Sequence, residues 1–116
     1  GVIRAGEVQV MSAGTGVLHS EVNASASEEV NLLQIWVFPN VRNVKPRYDQ
    51  KAFKAEERNN KWQTIVSPVQ NTEVLWIHQN AWFSLGNFSK GKRTEYKLNK
   101  SGNGIYIFII EGDVIV

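Results

Sequence analysis

The chain has 116 residues, 42% hydrophobic and 21% charged, which is the size and composition of one ordinary globular domain with a buried core. Its formal net charge of +2 is too small to indicate a nucleic-acid or membrane partner. Cysteine is absent, which excludes disulfide scaffolds, thiolate metal sites and cysteine nucleophiles. Any metal must therefore be bound by nitrogen and oxygen ligands. No apolar run reaches the length of a membrane span, and we expect a cytoplasmic protein.

The first forty residues predict short strands separated by turns. Residues 8–11 alternate apolar and polar side chains, as a half-buried strand does, and residues 17–21 begin the same alternation after a glycine-rich turn. Residues 30–38 are dense in β-branched and aromatic side chains and end before Pro39, which predicts a buried strand.

Residues 40–60 are polar and charged and predict a linker between two β units. Within it, residues 51–58 are a candidate for a short helix, and Tyr48 and Phe53 are the expected anchors that pack the linker down. Its basic residues are interleaved with acids in the second half. A solvated surface is therefore favoured over a nucleic-acid groove.

The second half of the chain again has β character. Six further strands are predicted, at residues 62–66, 74–78, 81–88, 94–98, 105–110 and 114–116. Strands of this length at this spacing predict an all-β sandwich or barrel. Because the chain ends within an apolar strand, we expect a piece of a longer protein or one completed by another chain. Its exposed strand edges favour self-association.

The strongest candidate for chemistry is the pair His19 and Glu21. In an extended strand, residues two apart point to the same face, about 7 Å apart along the backbone. An imidazole and a carboxylate so placed can bind one metal ion at about 2.0–2.2 Å. The alternative is a solvated Glu and a His hydrogen-bonded to a neighbour, with no metal.

Residues 6–21, GEVQVMSAGTGVLHSE, resemble the second metal motif of the pirin-like bicupins. The segments LQIWVFP at 33–39 and KPRY at 45–48 resemble the strand and inter-domain segment that follow in that family. The similarity continues more weakly to the Glu111-Gly112 hairpin, and so covers nearly the whole chain.

This resemblance implies a cupin-type β-barrel, or jelly-roll, fold with parts of two barrels. Residues 1–39 would be the C-terminal part of the first barrel, 40–60 the linker with its short helix, and 61–116 the N-terminal part of the second barrel. Family members bind one metal in the first barrel through a His-x-His pair and a His-x-Glu pair, here His19 and Glu21. Some are quercetin 2,3-dioxygenases that open the flavonol ring with O2, and others are nuclear cofactors of transcription. Iron is their usual metal.

The sequence departs from the family in three places. Ala5 stands where the family usually has Pro, and Glu7 where it usually has Asp. No His-x-His is present, and His78 lies in the segment similar to the second barrel, which generally holds no metal. We therefore expect two of four ligands in this chain, a poor affinity for metal and little activity of the chain by itself.

A complete site of this kind suits one divalent ion, Fe(II) first and Mn, Ni, Cu or Zn otherwise. Glu21 could also act catalytically, as the base that accepts the proton of a flavonol-like substrate. Met11, Trp36 and Phe38 are candidates for the pocket lining, although such side chains usually belong to a plain core. The competing function is a regulatory or protein-binding module in which the metal is structural or senses redox state.

Overall fold

The computed structural model describes all residues 1–116 and contains five β-strands and one turn of 3-10 helix. In chain order these elements are β1 (Glu7–Ser12), β2 (Arg47–Ala52), the 3-10 helix (Ala55–Arg58), β3 (Trp62–Ser67), β4 (Leu75–Trp76) and β5 (Phe83–Gly86). The regular structure is almost entirely strand, so the predicted all-β class is confirmed.

The strands form two sheets. β1 and β2 pair antiparallel along their full lengths, from Glu7 opposite Ala52 to Ser12 opposite Arg47. In the second sheet β3 is central, parallel to β4 and antiparallel to β5, in the order β4-β3-β5. β4 also lies against β1 and β2, so it is the element that joins the two sheets.

The core is a small cluster at this junction. Five hydrophobic side chains are buried there: Val10, Phe53, Ile65, Val66 and Leu75. Leu75, on β4, is the most completely buried, with 1% of its surface exposed. The two sheets are thus held together mainly by apolar packing around one short strand.

The linker is more structured than the sequence predicts. A helix over residues 51–58 is wrong in its first half, because residues 47–52 are β2 and only Ala55–Arg58 is helical. The backbone groups of β2 pair with β1, and this tertiary pairing outweighs the weak local preference for a helix. Phe53 is buried, as expected of an anchor, whereas Tyr48 is half-exposed, so its anchoring role is wrong.

One polar side chain fixes the 3-10 helix to β3. Gln63 is buried, and its Nε2 donates hydrogen bonds to the Lys54 carbonyl (3.2 Å) and to Glu57 Oε2 (3.0 Å). Its Oε1 accepts a hydrogen bond from Arg58 Nη1 at 3.1 Å. Both ends of the buried amide are therefore satisfied, as a buried polar group requires.

Four predicted strands are confirmed with altered bounds, namely β1, β3, β4 and β5. Those predicted at 17–21, 30–38, 94–98, 105–110 and 114–116 are wrong, because these segments pair with no other strand. A favourable side-chain pattern is insufficient here, since a strand also needs a partner for its backbone groups. The predicted buried strand at 30–38 is instead exposed, with Trp36 86% and Phe38 89% accessible.

Candidate functional site

The two predicted metal ligands lie next to each other. His19 Nε2 is 4.0 Å from Glu21 Oε1, and the side chains are 43% and 46% exposed. Their segment belongs to no sheet, so the pairing does not arise from the strand geometry on which the prediction was based. The two side chains nevertheless approach each other.

The Glu21 carboxylate makes a second contact, with a residue that the sequence did not mark as part of the site. Gln34 Nε2 donates a long hydrogen bond, 3.4 Å, to Glu21 Oε2. The two oxygens of Glu21 are thereby divided, one toward Gln34 and the other toward His19. No sequence signal marks Gln34, because the contact joins residues thirteen apart in segments without regular structure.

The donor atoms fit a metal in kind and, in part, in geometry. Two ligands at about 2.1 Å from one ion can be separated by at most about 4.2 Å, and by about 3.4 Å in a tetrahedral site. The observed 4.0 Å therefore needs a small side-chain rotation to close around an ion. No group of three or more His, Cys, Asp or Glu side chains is positioned to bind a metal. The chain thus brings together two candidate metal ligands, His19 and Glu21.

Two hollows flank the segment that leads into β2. One, of about 240 Å³, adjoins His19 and is lined by Met11, Val17, Leu18, His19, Pro46, Arg47 and Tyr48. The other, of about 570 Å³, is lined by Val44, Lys45, Pro46, Arg47, Tyr48, Trp76 and His78. Pro46, Arg47 and Tyr48 line both, so they form the wall between the hollows.

Two family models match the chain, one described as "Pirin" at residues 1–37 and one as "Quercetinase C-terminal cupin domain" at residues 64–116. The chain belongs to the pirin family. The predicted family is confirmed, and with it the cupin-type fold class, since the strand-rich structure and the matched cupin domain agree.

Relatives of this pirin-family chain carry dioxygenase names. A Pseudomonas aeruginosa protein named "Putative quercetin 2,3-dioxygenase" is 38% identical over 117 residues, covering 100% of this chain and 50% of the relative. The Escherichia coli K12 protein named "Quercetin 2,3-dioxygenase" is 32% identical over 114 residues, covering 98% of this chain and 48% of the relative. The chain thus spans about half the length of these relatives. No solved structure matches it.

The residues matched by the pirin model include His19, Glu21 and Gln34. The predicted pocket-lining residues do not all lie beside them. Met11 lines the hollow beside His19, as expected, whereas Trp36 and Phe38 line neither hollow. His78 lines the larger hollow, with its ring 4.8 Å from that of Trp76 in an edge-to-face arrangement. The pirin-family chain contains no helix with the length and apolar character needed to cross a bilayer.

Proposed function

We propose that this pirin-family chain contributes His19 and Glu21 to the metal site of a quercetin 2,3-dioxygenase-type enzyme. The observation that carries the proposal is the 4.0 Å approach of the imidazole and the carboxylate within the segment matched by the pirin model. The dioxygenase names of the relatives support the type of reaction. The flavonol-like substrate and O2 are part of the same proposal.

The donor set favours a divalent ion of borderline character. One imidazole nitrogen and one carboxylate oxygen suit Fe(II), which we propose first, and also Mn, Ni, Cu or Zn. When bound, such an ion supplies Lewis acidity and orients the two reactants. His19 would contribute Nε2 and Glu21 would contribute Oε1, the atoms that already face each other.

Glu21 is also the proposed base for the substrate hydroxyl. With Oε1 facing the metal, the proton would go to Oε2, which keeps a lone pair free because its only hydrogen bond, from Gln34, is long at 3.4 Å. Gln34 is accordingly a positioning residue, which restricts rotation of the carboxylate and keeps Oε1 on the side of His19. The hollow lined by Met11 and Leu18 would provide the apolar contact for an aromatic ring.

The domain organisation stays a proposal as well. We propose that residues 1–39 belong to one cupin barrel, residues 61–116 to a second, and residues 40–60 to the connection between them. The two family matches, at 1–37 and 64–116, support this division. We also propose a cytoplasmic location, which fractionation of cells expressing the tagged protein would test.

Metal binding should depend on His19 and not on His78. In calorimetric titrations of the chain with Mn2+ or Fe2+ under anaerobic conditions, His19→Ala should weaken binding about tenfold or more, because one of two donors is lost. His78→Ala is the matched control, since His78 lines the other hollow, and it should leave the affinity unchanged. Equal effects of the two substitutions would refute the assigned ligands.

Oxygen consumption with quercetin separates the enzyme from the regulatory module. We expect the iron-loaded full-length protein with all four ligands, rather than this chain by itself, to consume O2 when quercetin is added. Glu21→Gln should reduce the rate at least tenfold, because the amide cannot accept the proton. The presence of only two facing ligands favours the second candidate, a regulatory or protein-binding module with a structural or redox-sensing metal. Metal binding without oxygen consumption would support that module and reject the enzyme.

Self-association is proposed from the exposed apolar side chains. Large hydrophobic side chains are exposed throughout residues 105–110, including Tyr106 at 89% and Ile110 at 70%, and the outer edges of β4 and β5 are unpaired. We expect light scattering coupled to size exclusion to show a mass at least twice that of the 13.1 kDa chain. A monodisperse monomer across the micromolar range would contradict this expectation.

A further inference from the structure

The residues that line the larger hollow take no part in the proposed metal site. We call this hollow the Arg47 groove; its volume is about 570 Å³, within the range of small-molecule sites. It combines two basic side chains, Lys45 and Arg47, with the aromatic rings of Tyr48, Trp76 and His78. No acidic residue lines it. This combination favours a ligand that carries both a negative charge and a flat apolar surface.

Arg47 is held rigidly but is incompletely hydrogen-bonded. Its guanidinium carbon lies 3.8 Å from the centroid of the Trp76 ring, and Nη2 donates a hydrogen bond to the Trp76 carbonyl. The remaining nitrogens, Nε and Nη1, are shielded from water and have no hydrogen-bond partner. Shielded donors without a partner are unfavourable, so the guanidinium charge is compensated within the chain only by its contacts with Trp76.

No carboxylate of the chain neutralises this cation. Asp49 lies on the same face of β2 as Arg47, two residues along, but no acidic oxygen lies within 4.0 Å of the guanidinium. Burial lowers the pKa of Arg47 from its ordinary value, and the charge of Asp49 acts in the opposite direction. An arginine remains charged under such conditions. The groove wall therefore carries an uncompensated positive charge, reinforced by the exposed ammonium of Lys45.

We propose that the Arg47 groove is a binding site for an aromatic carboxylate. The positive charge of the guanidinium attracts a carboxylate, and Lys45, two residues away in the chain, adds a second cation. The ligand ring would pack against Tyr48 and the Trp76–His78 pair. The proposal goes beyond the proposed oxygenase, because it requires neither a metal nor His19 and Glu21.

A carboxylate on a ring fits the groove better than an inorganic anion. Val44, Pro46 and the aromatic side chains make part of the wall apolar, and a phosphate ion would leave that surface uncovered. A neutral aromatic ligand would cover it but would leave the charge of Arg47 unmatched. Only a ligand with both a carboxylate and an aromatic ring would pair with the cations and also cover the apolar wall.

The test is a titration of the chain, labelled with ¹⁵N, with benzoate, benzyl alcohol and inorganic phosphate in a chelating buffer. We expect benzoate to shift the amide signals of residues 44, 45, 47, 48 and 76–78. Benzyl alcohol and phosphate should bind at least about tenfold more weakly, because each lacks one half of the recognition. Equal affinity for either of them, or shifts confined to other residues, would overturn the proposal. The chelator removes metal, so this result is independent of the oxygenase test.

Substitutions at Arg47 and Lys45 test whether these two cations bind the ligand. Arg47→Met should weaken benzoate binding about tenfold or more, whereas Arg42→Met, a matched change at an exposed arginine outside the groove, should have no effect. Because Arg47 also bonds to Trp76, its loss could disturb the fold, and Lys45→Met provides a second variant at an exposed position. We expect that variant to bind about threefold more weakly. Unchanged benzoate affinity in Lys45→Met, or in a folded Arg47→Met, would overturn the proposal.

Discussion

Leu75→Ala is expected to destabilise the protein by about 2–5 kcal/mol, the range for removing a leucine from a packed core. Leu75 has 1% of its surface exposed and lies on β4, which contacts β1, β2 and β3. The cavity would therefore weaken both sheets and the contact between them. Urea denaturation followed by circular dichroism should show a lower midpoint, with the β signal lost in a single transition.

Leu32→Ala is the matched control for this substitution. Leu32 is 58% exposed, and its truncation should change the free energy of unfolding by no more than about 0.5 kcal/mol. If the two leucine variants unfold at the same urea concentration, the core does not depend on β4, and the description of the junction between the sheets is wrong.

The sequence predicted the part of the fold in which local pattern and tertiary pairing agree. The alternation over residues 8–11 identified β1, because its polar and apolar positions match the two faces of a paired strand. β3 was recognised from its β-branched and aromatic side chains. In both cases the chain supplies a partner, β2 for β1 and both β4 and β5 for β3.

The failures arise where pattern and pairing disagree. β2, with the sequence RYDQKA, has no apolar alternation, and only its register with β1 makes it a strand. Residues 30–38 and 105–110 have the opposite character, strong β propensity without a partner strand. Pairing is a property of two distant segments, so neither outcome could be read from one segment alone.

The candidate site was likewise predicted only in part. The His-x-Glu spacing anticipated that His19 and Glu21 would face each other, and the structure brings their side chains to 4.0 Å. It gave no indication of Gln34, or of the approach of Arg47 to Trp76, because these contacts join residues thirteen and twenty-nine apart. Whether the pair binds a metal stays a prediction, for which the titration with His19→Ala is the test.

Gly14→Ala is expected to displace the segment that forms the wall of both hollows. Gly14 has φ = +54°, and a Cβ there would lie 2.0 Å from the Val44 carbonyl oxygen and 3.0 Å from the Pro46 nitrogen. Both are backbone atoms, so no side-chain rotation can relieve the overlap. The left-handed conformation adds about 1–2 kcal/mol for a residue with a Cβ. We expect a total loss of at least about 2 kcal/mol of unfolding free energy, and large amide shifts at residues 44, 45, 47 and 48.

Two other glycines separate the steric contribution from the conformational one. Gly91 has φ = +80° with nothing within 4 Å of a Cβ, so Gly91→Ala should lose only the conformational part, about 1 kcal/mol. Gly104 has neither a positive φ nor a close neighbour, and its alanine variant should be neutral or slightly stabilised. The difference between the Gly14 and Gly91 variants measures the contact with Val44 and Pro46. If that difference is zero, the loop does not pack on this segment, and the geometry given for the hollow beside His19 fails with it.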